Sequence, residues 1–158
     1  MPSLNLQNHQ RKVALDLSLI RKAALASLPL CISCCGSQAD RSPRLLRTFE
    51  EIDIAIVSDR KIAQVHKDFL NDPTPTDVIT FPYGEIVVSA DTAQHQAKQA
   101  GYSTEQELSL YIIHGLLHLN GYDDHTQTQR KEMHARQSKI LKAVFKNLCQ
   151  AVSVHESI

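Results

Sequence analysis

Two histidines, His114 and His118, stand four residues apart in an otherwise apolar stretch that includes Leu108, Leu110, Tyr111, Ile112, Leu116, Leu117 and Leu119. Residues four apart project from one face of an α-helix, so the two imidazoles can close on one ion. A His pair at this spacing is by itself often an accident. In a buried helix, however, two unpaired imidazoles are hard to satisfy unless something binds them. Gly121 supplies the left-handed residue that ends such a helix, and the chain then doubles back to bring His125, or Asp124, toward the same point. Three protein ligands leave a fourth position open, as in a catalytic zinc site rather than a structural one. Imidazole ligands and an open tetrahedron favour zinc as a single ion.

The H-E-x-x-H zinc proteases place a Glu after the first His as general base. Gly115 occupies that place, so peptide hydrolysis by that mechanism lacks its proton acceptor. The glycine also reads as a packing choice that lets a strand or a second helix approach the metal helix closely.

The segment His114 to His125 resembles the H-x3-H-x5-H signature of the YbeY family, bacterial endoribonucleases of ribosomal RNA maturation and ribosome quality control. A second stretch, Thr76-Asp77-Val78-Ile79-Thr80-Phe81-Pro82 followed by Gly84-Glu85-Ile86-Val87-Val88-Ser89, resembles that family's T-D-V-L-S-F-P and G-D-I strands. The likeness runs over about residues 50 to 145, and residues 1–49 add little to it.

The resemblance implies an α+β fold: a small mixed β-sheet with packed helices and the metal helix at its centre. It also implies a zinc-dependent, single-strand-specific endoribonuclease acting in 16S ribosomal RNA 3′ end processing, with RNA and the ribosome or its proteins as partners. Three departures stand out. Asp124 holds the place of the family's third His, with His125 one residue beyond; we take a one-residue insertion in the turn, with His125 as ligand, over the Asp124 carboxylate, although both are chemically sound. Leu70 stands where many members carry an Arg, and Glu85 where Asp is usual. Asp77 either satisfies backbone groups at a strand start or orients a metal-bound His through its ring N–H. The catalytic general base is left unassigned. Two other classes remain open: a non-catalytic ribosome-assembly factor with a structural metal, and a metal hydrolase acting on a substrate other than RNA.

At 158 residues with 42% hydrophobic composition, the chain is expected to be one globular domain over 1–158. Asp16, Arg21 and Lys22 interrupt the only candidate membrane span, and no signal-peptide order opens the chain, so the expected location is cytoplasmic. Seventeen basic residues balance seventeen acidic ones, but unevenly. Residues 1–49 carry seven basic and two acidic side chains, 50–107 four and eleven, and 126–147 six basic residues against Glu132 alone. Basic ends could hold phosphates, or could simply be solvated helix faces. Cys31, Cys34, Cys35 and Cys149 lack the second half of a zinc or redox motif and read as free thiols in a reducing cytosol.

Helical spacing of Val13, Leu17, Ile20 and Ala24 predicts a helix over 13–33, followed by a loop over 36–48. Ile52, Ile54 and Ile56 alternate as in a strand, and Ser58 caps the next helix. Strands over 77–81 and 85–89 form a hairpin about Tyr83-Gly84. A short helix runs from about Thr92 to Gly101, and capping boxes at Ser103/Gln106 and Thr126/Gln129 start the metal helix and a basic C-terminal helix. A strand near Leu4 to Gln7 is weakly indicated.

Overall fold

The structure is a computed structural model, and it describes residues 1–33 and 45–156, with side chains described as far as Cys149. Cys34 and Cys35 and most of the expected 36–48 loop lie outside those residues. The elements run β1 (Ser3–Asn8), α1 (Leu17–Ile32), a 3-10 turn (Leu45–Thr48), β2 (Glu51–Val57), α2 (Asp59–Leu70), β3 (Val78–Phe81), β4 (Glu85–Ser89), α3 (Ala90–Ala100), α4 (Thr104–Leu119) and α5 (Gln127–Glu156). This is the expected α+β architecture with a mixed sheet.

The sheet order is β1-β2-β4-β3. β1, β2 and β4 are parallel, while β3 returns antiparallel to β4 as the hairpin. Alternation then sorts the side chains onto two faces. Ile52, Ile54, Ile56, Ile86 and Val88 face a large core shared with α1, α4 and α5. Val57, Ile79 and Val87 face the other way and close a smaller core with Ile62 of α2.

Helix α4 is at the centre, packed against β3 and β4 on one side and against α1, α3 and α5 on the others. Its start has the full capping box: Ser103 Oγ accepts from Gln106 N–H while Gln106 Oε1 accepts from Ser103 N–H. The same reciprocal pair, Thr126 with Gln129, starts α5.

Helix α1 starts later than its periodicity suggests. Asp16 caps it, and Val13 is buried outside it, its backbone held by both ends of the Gln10 amide. Helix α3 starts earlier, because Ser89 rather than a later residue accepts from Thr92 N–H as N-cap. Among the described residues, no helix is long and apolar enough to cross a membrane.

Candidate metal centre

Helix α4 aims its two imidazoles as their spacing requires. His114 Nε2 and His118 Nε2 lie 3.0 Å apart, with the rings nearly perpendicular. The helix then ends at Gly121, whose φ of 98° belongs to the left-handed region. Gly121 N–H and Tyr122 N–H donate back to the carbonyls of His118 and Leu117, closing the turn. From there the chain carries Asp124 over the His pair, with Asp124 Oδ2 3.4 Å from both Nε2 atoms. His114, His118 and Asp124 bring three donor atoms within 4.8 Å of one another, close enough to hold a metal ion.

The turn is braced from α5. Gln129 Oε1 accepts from the backbone N–H groups of His125 and Thr126, and Arg130 donates to the carbonyls of Asp124 and His125. Holding these backbone atoms holds the Asp124 carboxylate in register.

His125, the expected third ligand, does not join the group. Its side chain is 82% exposed, and its Nε2 lies 3.9 Å from Asp123 Oδ1. The physical reason is that the turn after Gly121 absorbs no insertion: it delivers the residue ten positions after His114, and that residue is Asp124. Of the two roles open to Asp77, its contacts are those of the strand-start one. It lines the same cleft, but its Oδ1 accepts from Val78 N–H and, at a longer distance, from the Thr76 hydroxyl.

The side chain that orients an imidazole is Gln137 on α5, whose Oε1 lies 2.8 Å from His114 Nδ1. With the amide oxygen accepting, Nδ1 carries the proton and the Nε2 lone pair is free to face a metal. The Tyr122 backbone also interacts with the His118 ring and favours its charged form. Burial lowers the His118 pKa, with His114 adding to the effect, so this imidazole stays neutral in more acid solution than an exposed one.

Partners of this kind fix ring orientation and basicity. Gln137→Leu is therefore expected to weaken metal binding about 10- to 100-fold with little change in metal-free thermal unfolding, read by competition with a chromogenic chelator. Unchanged affinity would mean that packing within α4 alone sets the ring.

The group sits in a cleft of about 760 Å³ whose lining also includes Leu45, Phe49, His66, Leu70, Thr80 and Pro82. His66 faces this cleft from α2 with its Nδ1 2.9 Å from the Thr74 carbonyl oxygen. Neither His66 nor Gln137 was singled out by the sequence reading.

The chain that forms this cleft matches the family model for endoribonuclease YbeY over residues 5–145. The chain belongs to the YbeY family. Relatives named endoribonuclease YbeY include one from Bifidobacterium animalis subsp. lactis, 37% identical over 62% of this chain and 63% of its own length. Another, from Halalkalibacterium halodurans, is 34% identical over 67% of this chain and 79% of its own length. The match to the Bifidobacterium protein thus spans less than two thirds of that relative. A solution structure of a Thermotoga maritima protein shares the fold, with a TM-score of 0.62 and 24% identity over 94% of this chain and 93% of that one. Membership of the family agrees with the resemblance carried by His114 to His125 and Thr76 to Ser89.

Proposed function

We propose that residues 1–158 form one zinc-dependent endoribonuclease domain that cuts single-stranded RNA in the cytoplasm. Its role would be ribosomal RNA maturation, including 16S 3′ end processing, and ribosome quality control in contact with the ribosome or its proteins. The observation that carries this reading is the His114–His118–Asp124 donor triangle in an open cleft of a YbeY-family chain.

The proposed ligands are His114 Nε2, His118 Nε2 and an Asp124 oxygen. A tetrahedral zinc with bonds of about 2.0–2.1 Å sets its donors roughly 3.3 Å apart. The sides of the triangle are 3.0, 3.4 and 3.4 Å, so the donors need to move only a few tenths of an ångström. Two imidazoles and one carboxylate suit zinc and leave a fourth position for substrate or water.

Zinc held there supplies Lewis-acid polarisation of a phosphodiester oxygen and acidifies a water or ribose hydroxyl. The chain's own residues do the rest. Gln137 keeps the His114 Nε2 lone pair turned inward, and Arg130 and Gln129 keep Asp124 over the His pair. Asp123, His125 and His66 line the same cleft and are three groups able to move a proton there. A target bond must enter the cleft to reach the ligands, which favours a strand that is not locked in a duplex.

Zinc content and cleavage of a single-stranded RNA by Asp124→Ala and His125→Ala test the assignment. Asp124→Ala is expected to lose both, while His125→Ala keeps its zinc. The reverse outcome would return the ligand role to His125. A zinc-loaded wild type that cleaves no faster than the metal-free protein would sink the nuclease reading itself.

A further inference from the structure

Beside the metal cleft, and sharing Thr76 and Asp77 with it, lies a second and more polar pocket of about 360 Å³. Its other walls are Pro75, Thr92, Gln96, Glu107 and Tyr111. Glu107 stands out here. The residue is only 7% exposed, and its Oε2 has no hydrogen-bond partner. A buried carboxylate left in that state is costly, and burial indeed pushes the Glu107 pKa up, with the Asp77 charge adding to the rise. Tyr111, one turn along α4, lies close enough to temper that rise, yet its hydroxyl is also without a partner in hydrogen-bonding geometry.

The pocket that Glu107 lines is rich in oxygens able to accept. Thr92 Oγ1 gives its proton to Asp59 Oδ1 at 2.7 Å, which leaves the lone pairs of the hydroxyl free. Asp77 takes its bonds from Val78 and Thr76 on Oδ1, leaving Oδ2 as a second carboxylate oxygen. Gln96 adds an amide oxygen, and no Lys or Arg among the described residues lines the pocket. The nearby Lys12 is engaged with Asp91 at 3.3 Å.

We propose that this pocket, between the Glu107 and Asp77 carboxylates and the Thr92 and Gln96 oxygens, binds a hard divalent cation of the Mg²⁺ class, distinct from the metal held by His114, His118 and Asp124. The two sites differ in donor chemistry. An all-oxygen set with two negative charges suits Mg²⁺ or Mn²⁺, whereas two imidazoles and a carboxylate suit zinc. The pocket is larger than a bare ion, which matches the reluctance of Mg²⁺ to give up its water shell.

The location carries a consequence that rests on the ribonuclease reading. Among the described residues, the metal cleft is lined by Asp77, Asp123 and Asp124 and by no Lys or Arg. An RNA phosphate entering it meets three carboxylates against the single zinc, and a divalent ion behind Asp77 adds to that offset.

The test is a titration of zinc-loaded protein with Mn²⁺, followed by electron paramagnetic resonance and by water proton relaxation, with no RNA present. One Mn²⁺ per chain is expected, displaced by Mg²⁺ while the zinc stays bound. Glu107→Gln and Asp77→Asn should each weaken Mn²⁺ binding by about tenfold or more, since affinity at hard-cation sites follows ligand charge. Circular dichroism of each variant confirms its fold, and if Glu107→Gln does not fold, Asp77→Asn decides alone. A zinc-loaded wild type that takes up no Mn²⁺, or variants that bind it as tightly as wild type does, would overturn the proposal. Because the readout needs no RNA, failure of the nuclease reading would appear separately, in the cleavage assay.

Discussion

His118→Ala is expected to abolish metal binding and to lower RNA cleavage by more than about 100-fold, a loss of roughly 3 kcal/mol of transition-state stabilisation. The variant removes one corner of the donor triangle and leaves His114 and Asp124 as a pair, too few to hold an ion against water. The fold itself should survive, because the His118 side chain is only partly buried at the floor of an open cleft. The contrast to measure is therefore metal-dependent stability. A ligand at 100 times its dissociation constant stabilises a fold by about 2.7 kcal/mol, which for a domain of this size is a rise in Tm of about 5–10 °C. Wild type should show that rise on addition of zinc and His118→Ala should not, while their metal-free melting curves stay close.

The pH dependence follows from the same residue. Protons compete with metal for an imidazole, and burial lowers the His118 pKa. Zinc binding should accordingly persist further into acid than it would at an exposed His pair. A binding midpoint no lower than that of an unstructured peptide carrying the same two histidines would contradict the burial.

Much of this arrangement is legible in the sequence, because it is local. The period of α4, its capping box, the Gly121 terminator and the β3–β4 hairpin each depend on residues within a few positions of one another. What could not be read depends on contacts between distant segments. β1 gains its place by parallel pairing of Ser3–Asn8 with Glu51–Ile56, far along the chain. Gln137 reaches His114 from 23 residues away, and nothing in its neighbourhood separates it from the other polar residues of α5. The third corner of the triangle fell between these limits. Spacing brought the chain back to the His pair, but the choice between Asp124 and His125 turns on a single residue of register in a turn. Arg130 and Gln129, bound to the backbone of that turn, set the register.

Gly115→Glu, which restores the H-E-x-x-H pattern on paper, is expected to unfold the protein rather than create a protease. Position 115 faces the sheet and not the metal. A Cβ there would lie 2.8, 2.9 and 3.0 Å from Cγ2, Cδ1 and Cγ1 of Ile86 on β4, closer than real side chains approach. Ile86 is fully buried, so neither side can give way easily. A glutamate would add to that clash an unpaired carboxylate in the core, at a cost of several kcal/mol. That is a large fraction of the roughly 5–15 kcal/mol that stabilises a typical domain.

The alanine variant isolates the steric part. Gly115→Ala gains about 1 kcal/mol of helix propensity and loses about 1–3 kcal/mol to overpacking. With three atoms inside contact distance, the loss should win. Trimming the opposing side chain should then relieve it: Gly115→Ala and Ile86→Ala, which removes all three crowding atoms, are expected to cost about 0.5–1 kcal/mol less together than the sum of the two alone, measured by urea unfolding. Strict additivity would mean that α4 and β4 do not meet at this point. A well-folded Gly115→Glu would mean the same. If the coupling is found, the glycine between the two histidines is there to seat the metal helix on its sheet, and the catalytic glutamate of the zinc proteases has no room at this position.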